Sequence, residues 1–335
     1  LAPFEDQPHL FQIFQEHKRW GRILGVRTVG DLNEINVDGD MADFIRTAEA
    51  LHEKRIATIA DRIAEGAGRI RWIFIAGPSS SGKTTFAKRL GVHLKVNGLH
   101  CTTLSVDDYF VDRDQTPLGA DGELDFEHIR TVDLAFLHDH FQRLDRGEEV
   151  ERPHFNFEHG RREFRGARMK IHRDQLVLVE GIHCLNPDLL GPLPDEHVFK
   201  IYVSALAQLN IDFHNRMSTT DNRLIRRIVR DHQFRSNNAR RTLGMWPGVR
   251  RGEKTWIFPY QANADVAFNS ALDYELGVLK PYVEPLLLEV KPYDVEYATA
   301  RRLQDFLSNF LSIPASRVPS TSIVREFIGH SSFRY

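Results

Sequence analysis

The sequence predicts an α/β fold with a parallel sheet flanked by helices, and three observations carry that prediction. From Arg71 onward, short apolar runs alternate with segments of helical periodicity, the pattern of strands joined by crossover helices. The first run, Trp72, Ile73, Phe74 and Ile75, leads into Gly77, Pro78, Ser79, Ser80, Ser81, Gly82, Lys83, Thr84 and Thr85, a complete GxxxxGK[ST] motif. A helical repeat of Phe86, Leu90 and Leu94 follows and stops at Asn97 and Gly98, so the motif sits between a buried strand and a helix.

Taken in order, the first seventy residues read as helical. Phe11, Phe14, Trp20 and Leu24 are loosely periodic, and Phe44, Ala48, Leu51, Ile56, Ile59 and Ile63 define a second, longer helix before Gly66 and Gly68 interrupt it. Strands are expected at 71–76, 101–106, 176–182 and 197–204, with a further one at Ala264 to Phe268 and helices near 84–96 and 132–145. Tyr297, Ala300, Leu303, Phe306, Leu307 and Phe310 fit one last helix, broken off by Pro314 and Pro319. The expected organisation is a helical N-terminal extension (1–68), a central domain (69–290) with a basic helical segment over about 221–256, and a C-terminal helical extension (291–335).

Composition bounds the function. The 335 residues are 41% apolar and 27% charged, enough to bury a sizeable core. A formal net charge of −2 provides no global basic field, so direct nucleic-acid binding is not expected and any anion site must be local. No run approaches the roughly eighteen apolar residues that span a bilayer, and no signal peptide is seen. Cys101 and Cys184 are the only cysteines, without CxxC or zinc spacing, as expected of a reduced cytoplasmic protein. Among sixteen histidines, His138 and His140 lie two apart and point in different directions on a helix, so no structural metal site is expected.

The motif calls for a nucleoside triphosphate. Gly77 and Gly82 let backbone approach phosphate, and the amides of Ser79, Ser80, Ser81 and Thr85 with the helix N-terminus supply positive potential. Lys83 reaches the β and γ phosphates, and Thr84 ligates Mg²⁺. In an open parallel sheet the ligand sits beyond the C-terminal strand ends, where Leu104 to Phe110 carries Asp107 and Asp108 and Leu176 to Gly181 carries Glu180. A kinase needs one carboxylate beside the acceptor hydroxyl and others near Mg²⁺; Asp107 suits the first role and Glu180 the second, against the plain alternative of solvated strand ends.

Arg223, Arg226, Arg227 and Arg230 recur at i, i+3, i+4 and i+7, opposite Leu224, Ile225, Ile228 and Val229. Such a guanidinium stripe is a solvated face, a nucleic-acid patch or, beside a phosphate loop, an arginine-rich helical lid over the triphosphate. Arg240, Arg241, Arg250, Arg251 and Lys254 continue the basic segment. Phe126, Phe155 and Phe157 make either an aromatic wall for a planar ring or part of the core, and Glu127 is a candidate for sugar hydroxyls.

Together these residues resemble the uridine kinase and phosphoribulokinase family of P-loop kinases over about Arg71 to Leu288. The resemblance implies a nucleoside kinase-like P-loop NTPase fold, ATP and Mg²⁺ as cofactors and a nucleoside substrate. The family's SxDxFY-like motif is matched by Ser105, Asp107, Tyr109 and Phe110, which makes Asp107 the implied base and Tyr109 a substrate-side residue. FEG appears as VEG, placing Glu180 at the magnesium-associated position. Phe126 and Glu127 fall where a uridine kinase has phenylalanine and a ribose-binding aspartate. Arg227 and Arg230 match lid arginines near nucleoside and phosphates, and Arg235 a later ATP-side arginine. The pyrimidine-reading histidine is replaced at its aligned position by Gly160, with His159 adjacent, and the lid's end, 235–254, is unlike the compact uridine kinase version.

The chain is also similar to bacterial uridine kinase-related proteins that carry threonyl-tRNA-synthetase-like modules before the kinase, through the segments at 17–26 and 258–272. That likeness implies an upstream module outside this chain, which starts at Leu1, and is compatible with a dimer or tetramer. The expected reaction is transfer of the γ-phosphoryl group to the 5′-hydroxyl of a pyrimidine nucleoside. Competing expectations are a kinase of another small hydroxylated metabolite, such as a sugar phosphate or pantothenate, served by Arg161, Arg162 and Arg165, and a nucleotide-dependent regulatory or RNA-associated module.

Overall fold

The structure, a computed structural model, describes residues 8–119, 122–207 and 209–334. It opens with three helices, α1 (Pro8–Leu24), α2 (Val29–Asp38) and α3 (Met41–Glu65). The short α2, not expected from periodicity, is set by its ends: Thr28 Oγ1 accepts from the Asp31 amide, the Thr28 amide donates to Asp31 Oδ2, and Gly39 closes it at φ 92°. Along α3, Phe44, Ile45, Ala48, Ile56, Ile59 and Ile63 are buried, the face its spacing predicts. The side chain of Phe14 lies outside the described residues.

The chain then runs through β1 (Trp72–Ala76), α4 (Lys83–Val96), β2 (Cys101–Ser105), α5 (Leu134–Asp145), β3 (Val150–Asn156), β4 (Arg161–Met169), β5 (Leu176–Glu180), α6 (Pro187–Leu190) and β6 (Val198–Ser204). It finishes with α7 (Thr219–Phe234), α8 (Ala239–Trp256), β7 (Val266–Asn269), α9 (Glu275–Leu288), α10 (Tyr297–Leu307) and α11 (Arg325–Ile328). Five strands form one parallel sheet in the order β2-β5-β1-β6-β7. Alternate side chains of β1 enter different cores: Ile73 and Ile75 join α3, α4, α7 and α9 on one face, while Trp72 and Phe74 join α5 on the other.

The antiparallel hairpin β3–β4 stands apart from this sheet and was not expected. Its second strand is almost wholly exposed and rich in arginine, so it carries no apolar alternation to betray it. The two extensions pack into the central domain. Val29, Leu32 and Ile45 at one end and Val318, Ile323 and Phe327 at the other belong to the same apolar core as Phe86 and Leu90 of α4. Among the described residues no helix is long and apolar enough to cross a membrane.

Register decides where the chemistry lies. Ser105 and Ile75 both pair with Glu180, so β2, β5 and β1 end level with one another. The loop after β1 and the turn carrying Asp107 therefore emerge on either side of Glu180, at the strand ends where parallel sheets bind ligands.

Candidate active site

The phosphate loop is shaped by contacts that leave no room for substitution. A Cβ on Gly77 would run into the Val203 carbonyl, and Gly82 adopts φ +82°, a region that L side chains avoid. Ser80 is also left-handed, at φ 60°. Around the outside, the loop's carbonyls are held by side chains: Arg223 Nη1 donates to Ser79 O (3.2 Å), Arg226 Nη1 to Ser80 O (3.3 Å) and Ser270 Oγ to Ser81 O (2.5 Å). Arg227 Nη1 donates to Ser79 Oγ at 2.8 Å, and Lys83 Nζ to Pro78 O at 3.4 Å. The hydroxyls of Ser80 and Ser81 are buried without a hydrogen-bond partner. A loop that closes on Gly77 and Gly82, two buried unpartnered hydroxyls and a buried lysine at the start of α4 fit a polyphosphate. Half-buried Thr84 and buried Glu180 bring the hard oxygen donors that Mg²⁺ takes.

Asp107 lies on a 3-10 turn, Val106–Tyr109, that continues β2. Burial pushes its carboxyl above the usual range, and Lys83, Arg235 and Arg230 pull the other way. Glu180 accepts a hydrogen bond from Ser105 Oγ at 2.8 Å; burial, with the Asp107 charge added, pushes it up to about 7. Glu127 is likewise pushed by burial to about 7, opposed by Arg227, and its Oε2 has no hydrogen-bond partner. Asp108, next to Asp107, does something different. It pairs with Arg152 (3.3 Å) and His154 (3.6 Å) and accepts from the Phe155 amide, fastening the β3–β4 hairpin to the strand end.

The arginine stripe divides in two, and it is not a solvated face. Arg223 and Arg226 are buried in pairs with Glu253 of α8 and Glu275 of α9, the first bidentate at 2.5 and 2.7 Å. These two arginines hold the loop from behind. Arg227, Arg230 and Arg235 instead gather on Asp231, at 3.3, 2.7 and 4.0 Å. Despite its burial, Asp231 is held below the usual carboxylate range by them. Burial, with the Arg230 charge added, lowers Arg235 to about 10.

Arg235, expected on the ATP side, lies 4.5 Å over the ring of Phe157 on the hairpin, while its charge is also felt at Asp107. Phe157 and Phe126 are partly exposed, whereas Phe155 is buried against Phe110, so the aromatic wall is half core. Tyr109, expected on the substrate side, is 1% exposed. Its ring is buried in the core and its hydroxyl is hydrogen-bonded to His140 Nδ1 at 2.9 Å. His159 is an exposed residue of the hairpin turn. Gly160 closes that turn at φ +66°, where a Cβ would come within 2.6 Å of Arg113 Nε, so glycine there answers to the turn's geometry.

Three residues went unread in the sequence. Glu253 and Glu275 are isolated acids in basic or apolar helices, and only the tertiary pairing with Arg223 and Arg226 reveals them. His183 follows Glu180 by three residues. Its ring is 1% exposed beside the backbone of Trp256 and His128, with neither nitrogen in a well-formed hydrogen bond, and burial lowers it to about 3 so that it stays neutral. Its signal was its place just beyond an acid-tipped strand. The turn above it is clipped to α8, where Trp256 Nε1 donates to Asp125 Oδ2 (3.3 Å) and Gly252 makes room for Glu127.

The model of the phosphoribulokinase / uridine kinase family matches residues 72–276. Curated relatives include a uridine kinase from Halobacterium salinarum, 25% identical over 58% of this chain and 77% of its own length. A uridine kinase from Clostridium botulinum is 28% identical over 58% of this chain and 85% of its own. A solved structure from Silicibacter sp. TM1040, assigned provisionally to a fructose transport system kinase, is 16% identical with a TM-score of 0.46, covering 64% of this chain and 98% of that one.

Proposed function

The chain belongs to the phosphoribulokinase / uridine kinase family, and from that premise we propose that it is an ATP- and Mg²⁺-dependent kinase acting on the 5′-hydroxyl of a nucleoside. The observation that carries this reading is the meeting of the phosphate loop, Asp107 and Glu180 at one level of the sheet. Uridine kinases among the relatives favour a pyrimidine nucleoside.

Bound MgATP supplies the transferable phosphoryl group and the neutralising cation. Lys83 and the α4 N-terminus would hold the phosphates, and Thr84 and Glu180 would supply oxygen donors for Mg²⁺. Asp107 orients the acceptor hydroxyl and takes its proton, its basicity raised by burial. Arg227 and Arg230, aligned by Asp231, face the charge that builds on the transferring group. Glu127 accepts from sugar hydroxyls through its unpartnered oxygen, and Phe126 and Phe157 flank the base. Free thiols at Cys101 and Cys184 accord with a reducing cytoplasmic setting.

A phosphorylated acceptor finds less support. Arg162 is paired with Asp133 at 3.0 Å and Arg165 with Glu163 at 2.8 Å, so two of the three arginines considered for that role are already engaged.

The test is ATP consumption against nucleosides, deoxynucleosides, ribulose 5-phosphate and pantothenate, with each product identified by mass. A nucleoside 5′-monophosphate is expected. Asp107→Asn should lower turnover by roughly 10² to 10⁴, the range of a general base, with ADP binding kept. Normal turnover in that variant would sink the assignment.

A further inference from the structure

Glu326, on α11 near the C-terminus, reaches the phosphate loop. Its Oε2 accepts from the Thr85 amide at 3.1 Å and from Thr85 Oγ1 at 2.6 Å. Thr85 is the third residue of α4, and its amide is one of the first-turn donors that the helix itself cannot satisfy. In a phosphate loop such donors receive phosphate oxygens. A carboxylate oxygen therefore stands where an anionic ligand would be received.

The backbone that carries Glu326 is firmly seated. Ile323, Val324 and Phe327 are buried in the core shared with α4. Ile323 Cγ2 lies 2.6 Å from the position a Cβ on Gly82 would take, directly over the loop. Ser322 Oγ is 3.3 Å from the Tyr274 hydroxyl, Arg226 lies 5.0 Å over the Phe327 ring, and Arg325 Nη2 donates to the carbonyls of Ala315 (2.8 Å) and Val318 (2.6 Å). The Glu326 side chain itself is only half-buried. Freeing Thr85 thus requires a rotation of one side chain rather than release of the segment.

We infer that Glu326 is an intramolecular competitor of the nucleotide's phosphates, and that nucleotide binds only as this carboxylate turns away from Thr85. The inference rests on the kinase reading above. Because α11 is held in place, the competitor stays at high effective concentration and sets the apparent affinity of the site. Two anions on one amide–hydroxyl pair repel, so the ligand must expel the side chain before using Thr85.

The test is calorimetric titration of wild type, Glu326→Gln and Glu326→Ala with MgADP, with inorganic tripolyphosphate and with adenosine, alongside thermal melts. Both variants should bind ADP and tripolyphosphate roughly tenfold tighter or more, a difference of about 1.4 kcal/mol. Adenosine, lacking phosphate, should bind all three proteins equally. Equal or weaker ADP binding in folded variants overturns the inference and leaves the kinase reading standing. A parallel gain for adenosine overturns it too, by making the effect steric. If none of the three binds ADP, both readings fall.

Discussion

Asp107 and Glu180 both feel the Lys83 charge; burial raises both carboxyls, and the Asp107 charge adds to the rise at Glu180. As the proposed base, Asp107 would act ionised, so activity should rise with pH. The acid limb of kcat/KM should therefore inflect above the ~4 of an unperturbed aspartate, because burial raises the Asp107 carboxyl. An acid limb that inflects at or below the ~4 of an unperturbed aspartate would contradict the burial argument. Glu127 provides the matching stability test. Its carboxyl rises from 4.5 to about 7 in the fold, so its favourable contribution is full below the unfolded value and is lost as pH climbs through the folded one. Glu127→Gln should therefore gain stability relative to wild type on going from about pH 5 to pH 8, by at most about 3 kcal/mol. Denaturant melts at the two pH values measure this, and an increment that does not change with pH would refute it.

At the scale of elements, α7 is a clasp before it is a lid. Arg223 ties together β1's loop and α8 through Ser79 O and Glu253, and Arg226 does the same for α9 through Ser80 O and Glu275. Removing one charge from such a buried pair leaves the other uncompensated. Glu253→Gln should cost about 3–5 kcal/mol in stability, and because Arg223 then loses its anchor, ADP affinity should fall as well. Urea melts and nucleotide titration read the two effects; a stable variant with unchanged affinity would show that the clasp is not needed. From the sequence, the spacing of the arginines was legible, and so was their closeness to the loop. Which of them face Asp107 and which face Glu253 was not, because i, i+3, i+4 and i+7 put all four on one stripe, and only the neighbouring helices divide it. Strand β4 was hidden for a related reason: an exposed strand has no periodic burial to display.

At the scale of the molecule, α3 lies against α4, with Arg89 of the latter paired to Glu49 (3.4 Å) and Glu53 (2.8 Å) of the former. The extension outlined as 1–68 is thus packed into the same core as the phosphate-loop helix. Ile59→Ala in α3 and Leu90→Ala in α4 should each cost about 2–5 kcal/mol, and scanning calorimetry should show both lowering the same transition. A transition shifted by Ile59→Ala alone would make the extension a separate folding unit.

The phosphate loop, its strand and helix, and the acids at the strand ends were determined by the sequence itself, because each rests on local chemistry: glycines where backbone must bend, apolar runs where strands are buried, a helix period after the motif. The register that aligns Ser105, Ile75 and Glu180, the turning of Tyr109 into the core and the arrival of Glu326 at Thr85 were decided only by the tertiary structure. Those contacts join residues far apart in the chain, 241 positions in the last case, and no local spacing encodes which distant side chain will fill a given donor.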